Sequence, residues 1–167
     1  MRLTSQRKLA GYKRTILRIL NLESANLVEF QSRVKKIGKG QDLPDDYFGF
    51  RIICKNKQEC YRTARILHKS LKVWKLKDYY INYHPQEPTY RSIHLLVKIN
   101  KESHIEIQIK TIRAHNRHML KRRLLGDHYW RSLTPAEIVQ FDKTLRINRP
   151  IRFTRNGVRY FSPTFSQ

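Results

Sequence analysis

Apolar positions change their period twice in the first fifty residues, and each change marks an element. Leu9, Tyr12, Ile16, Ile19 and Leu20 recur at helical spacing, with Arg7, Lys13, Arg14 and Arg18 on the rest of the cylinder. That pattern predicts an amphipathic helix over residues 5–21. From Leu27 the period drops to two. Val28, Phe30, Ser32 and Val34 alternate with Leu27, Glu29, Gln31 and Arg33, a strand running into the basic loop Lys35-Lys36-Ile37-Gly38-Lys39-Gly40. Tyr47 to Cys54 is rich enough in aromatic and β-branched residues for a short buried strand. Cys60, Ala64, Leu67 and Leu71 mark a second helix over residues 57–71.

Residues 77–90 show no clear period and carry Pro85 and Pro88, so a long irregular loop is expected there. Two strands follow, over residues 91–99 and 103–111, joined by a turn at 100–102. Their parity places Ile93, Leu95, Val97 and Ile99 with Ile105, Ile107 and Ile109 on an apolar face. Ser92, His94, Glu106, Gln108 and Lys110 fall on the opposite, polar face. A third helix is predicted over 112–125, with Ile112, Leu120 and Leu124 inward and Arg113, Arg117 and Lys121 outward. Thr134-Pro135-Ala136-Glu137 opens a last short helix. The expected division is a domain over residues 1–145 and a basic, aromatic tail over 146–167, either a hairpin at Asn156-Gly157 or an arm that orders on RNA.

Charge narrows the range of partners. Lys and Arg number 35 against 13 Asp and Glu, a net +22 over 167 residues, which favours phosphate-bearing partners and leaves room for an acidic neutralising protein. Apolar residues at 40% argue against disorder. No apolar run reaches the roughly 18 residues of a membrane span. Cys54 and Cys60 read as reduced core residues of a cytoplasmic protein. The Arg-rich first 22 residues fit either a basic first helix or a mitochondrial presequence.

Candidate chemistry concentrates in three stretches. Glu106, between two isoleucines, is either a solvent-facing strand residue or half of a carboxylate pair with Asp46. Such a pair suits Mg²⁺, which takes one or two carboxylates plus substrate phosphates. Cations, aromatics and amides mix between Lys77 and His94, the combination that base stacking and phosphate binding require. A DNA-binding reading lacks a helix-turn-helix or zinc spacing, and His115, His118 and His128 form no recognisable metal set.

Six motifs then occur in order: Asp46-Tyr47-Phe48-Gly49-Phe50-Arg51-Ile52, Cys60-Tyr61-Arg62 with Leu67-His68, Lys77-Asp78-Tyr79, Asn82, Tyr90-Arg91-Ser92-Ile93-His94, and Glu106-Ile107-Gln108-Ile109-Lys110-Thr111. Together they resemble the synthetase domain of RelA/SpoT-type alarmone synthetases over roughly residues 5–130. The resemblance implies an α+β fold, a mixed sheet flanked by helices, nucleotidyltransferase-like. It further implies transfer of the β,γ-pyrophosphate of ATP to a ribose 3′-hydroxyl. The acceptor is a guanine nucleotide (GDP or GTP), an adenine nucleotide or, as in toxic small members, the 3′-terminal adenosine of tRNA. Carried over by position, Asp46 and Glu106 hold Mg²⁺, and Glu106 accepts or orients the proton of the attacking hydroxyl. Arg33, Lys35, Lys39 and Arg51 serve the donor ATP. Tyr90 stacks on the acceptor base, with His94, Lys77, Asn82, His84 and Gln108 around the acceptor.

This chain departs from the family pattern in its short donor loop between Lys35 and Asp46 and in an acceptor loop two residues longer, with His84 and Thr89 at altered positions. A tRNA stem needs far more positive charge than a free nucleotide does. Arg113, Arg117, Lys121, Arg122 and Arg123, with Arg14 and Arg18, are the candidate RNA track. The alternative is a non-enzymatic RNA- or ribosome-binding domain that kept the fold and lost the donor site. The chain has no room for the separate hydrolase domain of the bifunctional members.

Overall fold

The computed structural model describes residues 2–35, 47–99, 104–128 and 133–147. Two compact units divide the chain, residues 1–115 and 116–167. In the first, helix α1 (Arg2–Leu22) leads to strands β1 (Leu27–Val34) and β2 (Phe48–Cys54), helix α2 (Lys57–Ser70) and strands β3 (Val73–Asp78), β4 (Ile93–Lys98) and β5 (His104–Thr111). The strands form one sheet in the order β1-β2-β5-β4-β3, with β2 and β5 parallel and every other neighbouring pair antiparallel. The expected mixed sheet is therefore present.

Strand parity decides what each face does. Phe48, Phe50 and Ile52 of β2, Ile93, Leu95 and Val97 of β4, and Ile105, Ile107 and Ile109 of β5 are all buried. They join Ile16 and Leu20 of α1 and Cys60, Ala64 and Leu67 of α2 in one core. Both helices thus cover the apolar face, as the periodicity predicted. Asn56 caps α2, its side chain accepting from the Glu59 backbone N–H at 2.9 Å. Asn56→Ala is expected to lower stability by about 1 kcal/mol, read from the urea midpoint. Cys54 and Cys60 are both buried free thiols.

Two expectations need correction, and two lie outside the described residues. Strand β3 was not anticipated: its sequence, Val-Trp-Lys-Leu-Lys-Asp, lies at the sheet edge with Trp74 and Leu76 about half exposed, so no buried stripe announces it. The irregular segment accordingly begins at Tyr79 rather than Lys77. Helix α3 (Ile112–Leu125) forms where expected, but Lys121 is buried and Leu124 exposed, the reverse of the predicted facing. Its weak amphipathic pattern gave little to orient it. The turn at 100–102 and the tail beyond residue 147 lie outside the described residues.

Most of α3, a 3₁₀ turn (Gly126–His128) and helix α4 (Pro135–Ile147) belong to the second unit. Thr134 and Glu137 close a capping box at the start of α4, with Thr134 N–H donating to Glu137 Oε2 at 2.8 Å and Glu137 N–H to Thr134 Oγ1 at 3.3 Å. The Arg117 guanidinium stacks 5.4 Å from the buried Phe141 ring. At 13 residues α4 is longer than expected and runs through residue 146, where the tail was expected to begin.

Candidate active site

The polar face of the sheet carries a row of side chains that crosses all five strands. In register, Gln31 of β1 lies opposite Arg51 of β2, Arg51 opposite Gln108 of β5, Gln108 opposite His94 of β4, and His94 opposite Lys77 of β3. One step along, Arg33 faces Gly49 and Gly49 faces Glu106. A Cβ at Gly49 would sit 3.2 Å from Arg33 Nε and 3.3 Å from its Cγ. Glycine there lets the Arg33 side chain lie across β2 toward Glu106. Gln31, Ser32, Arg33, Gly49, Phe50, Arg51, Glu106 and Gln108 line an open cleft with about 360 Å³ of empty space.

Glu106 is the acid of this cleft. Its Oε1 lies 2.9 Å from His94 Nδ1, and its Oε2 accepts from Gln108 Nε2 at 2.9 Å. Burial pushes its pKa up. The His94 hydrogen bond and charge, the Gln108 amide and the Arg33 guanidinium outweigh that, and the carboxyl is held below its ordinary value. Glu106 is therefore an anion at neutral pH. Each carboxylate oxygen retains a lone pair beyond the bond it accepts, so this hard donor fits Mg²⁺ beside substrate phosphates. Among the described residues no group of three or more His, Cys, Asp or Glu gathers, so a cation here would rest on one or two carboxylates and its ligand's oxygens.

A ring cluster adjoins the acid. Tyr90 OH is 2.8 Å from His94 Nε2, and Tyr79, His84, Tyr90 and His94 meet edge-on or tilted with centroids 4.8–5.7 Å apart. Two motif residues turn out to be scaffold. Asp78 accepts from Tyr80 N–H and Tyr61 OH at 2.8 Å each, and Ser92 Oγ donates to the Ile109 carbonyl at 3.1 Å, which fixes both ends of the loop. His84 is pushed below its ordinary pKa by burial and by the charges of His94 and Lys77.

The sequence-predicted residues fall into groups. Arg33, Arg51, Glu106 and Gln108 share the cleft, and His94, Tyr90 and His84 adjoin it. Lys77 is exposed beside His94, Lys35 is exposed just past β1, and Asn82 is exposed on the loop. Asp46 and Lys39 lie outside the described residues. Arg14 and Arg18 are exposed on α1, and Arg113, Arg117, Arg122 and Arg123 on α3, whereas the buried Lys121 offers nothing to an RNA. Sequence reasoning assigned no role to Gln31, Tyr79 or Lys110, although Lys110 shares the parity of Glu106 and Gln108 and was legible on that ground.

The family model for the region found in RelA / SpoT proteins matches residues 32–123. The chain belongs to the RelA/SpoT family. It is 44% identical over 72 residues to the guanosine-3′,5′-bis(diphosphate) 3′-pyrophosphohydrolase of Borreliella burgdorferi, 40% of this chain and 10% of that protein. To the GTP pyrophosphokinase rsh of Brucella ovis it is 37% identical over 68 residues, 40% of this chain and 9% of the relative. The chain thus spans about a tenth of these RelA/SpoT relatives. The small alarmone synthetase 2 of Bacillus subtilis superposes with a TM-score of 0.64 at 22% identity, covering 83% of this chain and 86% of that one. That likeness gives the RelA/SpoT fold. Among the described residues no helix is long and apolar enough to cross a membrane.

Proposed function

We propose that this domain transfers the β,γ-pyrophosphate of ATP to the 3′-hydroxyl of a purine ribose, with Mg²⁺. The observation that carries the reading is an ionised Glu106 in a cleft shared with Arg33 and Arg51 and adjoined by the Tyr90–His94 rings. Both relatives' names point to guanosine phosphates, and that of the Brucella relative, a GTP pyrophosphokinase, supports pyrophosphate transfer. In the reaction the ribose O3′ forms a bond to the β-phosphorus of ATP, the bond from that phosphorus to the α-bridging oxygen breaks, and AMP leaves with the electron pair. The proton of O3′ passes to Glu106. Arg33 and Arg51 place positive charge against the donor phosphates where charge develops, the larger part of catalysis in such transfers. Tyr90 offers a ring to the acceptor base. Mg²⁺, held by Glu106 and Asp46, would neutralise the phosphate oxygens.

GDP or GTP is the acceptor that the relatives' names favour. A second reading, the 3′ end of an RNA, is favoured by the net charge of +22 and by the exposed cations Arg7, Lys8, Lys13, Arg14 and Arg18 along α1. Incubation with γ-labelled ATP and Mg²⁺, separately with GDP, GTP, ATP and bulk tRNA, tests both. Label in a nucleotide identifies a free-nucleotide synthetase, and label in tRNA identifies the RNA acceptor. Absence of label from all four rejects the enzyme reading in favour of a binding domain. Chelation of the divalent cation is expected to stop transfer.

A further inference from the structure

We infer that Lys110 is a positioning residue of this site, fixing the direction of a hydrogen-bond chain that runs through Tyr90 and His94 to Glu106. The inference rests on the pyrophosphokinase reading for its kinetic consequences, while the chain itself stands on geometry. Lys110 has no exposed surface, although β5 places it on the polar face. Its Nζ donates to Tyr90 OH at 3.2 Å and lies 4.4 Å from the centre of the Tyr90 ring.

A buried ammonium is costly, and an apolar residue of similar volume would fill this position at lower cost. What an apolar residue cannot supply is donation. While it holds its proton, Lys110 has three donors and no acceptor, so the Tyr90 oxygen must accept from it. The single Tyr90 proton is then available to His94 Nε2, 2.8 Å away, with the Ser92 hydroxyl as the other side-chain partner of Tyr90. A neutral His94 that accepts at Nε2 carries its proton on Nδ1 and donates to Glu106 Oε1 at 2.9 Å. With Lys110 protonated and His94 neutral, the bonds run in one direction from Lys110 to Glu106. Lys110 also lies against the Tyr90 ring, which Tyr79, His84 and His94 meet edge-on or tilted.

The consequence is a defined tautomer of His94 and a fixed orientation of the Glu106 carboxylate relative to Arg33 and the cleft. Without Lys110 the Tyr90 hydroxyl can rotate and the ring can tilt, and both disturbances reach the acid. A misplacement of about 1 Å can cost roughly 10²-fold in rate.

Four variants and one spectrum test this. Lys110→Met, Tyr90→Phe and the double variant are assayed for kcat and for the KM of ATP, and the Glu106 carboxyl carbon is followed by ¹³C NMR. We expect each single variant to lower kcat roughly 10- to 100-fold with the KM of ATP within about twofold, and the double variant to lose no more than the worse single one. Lys110→Arg, which donates but never accepts, should recover part of the loss. Independent, multiplying effects in the double variant would overturn the chain. The NMR arm separates this inference from the functional reading. Should the parent protein transfer nothing while the Glu106 resonance still moves in Lys110→Met, the reaction is wrong and the chain is right. A Glu106 resonance unmoved by Lys110→Met rejects the chain, whatever the parent transfers.

Discussion

Glu106→Gln is expected to reduce pyrophosphate transfer by at least about 10³-fold while leaving the fold intact, since a positioned general base contributes roughly 10²–10⁴ and the same carboxylate serves the cation. Glutamine matches glutamate in size and can still accept from His94 Nδ1 through its carbonyl oxygen. What it loses is the negative charge that Arg33, His94 and Gln108 stabilise and the capacity to take a proton from O3′. Its amide N–H₂ meets the Gln108 amide, which can turn to offer its oxygen and give up the 3.5 Å contact with Arg51. Thermal melting within a few degrees of the parent, with no labelled product, is the expected pair of results. A variant with parental activity would remove Glu106 from the mechanism.

The other large effect concerns stability. Burial, helped by the Arg51 charge and opposed by Glu87 and Glu106, pushes the Lys110 ammonium from 10.5 down to about 7 in the folded protein. Below pH 7 both folded and unfolded chains hold this proton, and the fold carries the full cost of a desolvated charge. Between pH 7 and pH 10.5 the unfolded chain binds a proton that the native state does not, so this group makes the protein more stable as pH rises. The span corresponds to at most on the order of 5 kcal/mol. Lys110→Met has no such group. It is expected to be the more stable protein at pH 6 by a few kcal/mol, with the gap shrinking toward pH 9.5. Guanidinium midpoints of the two proteins at both pH values measure this directly. A gap independent of pH would mean that the buried amine does not titrate in that window.

Periodicity made most of the first unit readable. The helices α1 and α2 and the strands β1, β2, β4 and β5 each bury a regular set of side chains against one core, so their spacing carries the information. β3 escaped because an edge strand with Trp74, Lys75, Leu76 and Lys77 exposed buries too little to leave a stripe. On α3 the facing of Lys121 and Leu124 escaped, while Ile112, Leu120, Arg113 and Arg117 face as expected, because arginines, histidines and leucines are spread around the whole helix. At the site, parity alone put Glu106, Gln108 and Lys110 on one face. The meeting of Arg33 with Glu106 across Gly49 depends on strand order, which the one-dimensional pattern does not contain. The roles of Asp78 and Ser92 as anchors likewise needed coordinates, since their motif positions look the same whether they touch ligand or backbone.

The parallel pairing of β2 with β5 has a consequence for synthesis on the ribosome. Arg51 and Gln108 are 57 residues apart in sequence, and Gly49 meets Glu106 across the same two strands. Loop closure over that distance is slow compared with local hairpin formation. A nascent chain that has not yet released β5 holds Arg33 and Gly49 without Glu106 beside them. Glu106 therefore comes level with Gly49 only when β5 slots between β2 and β4, two strands that are already made.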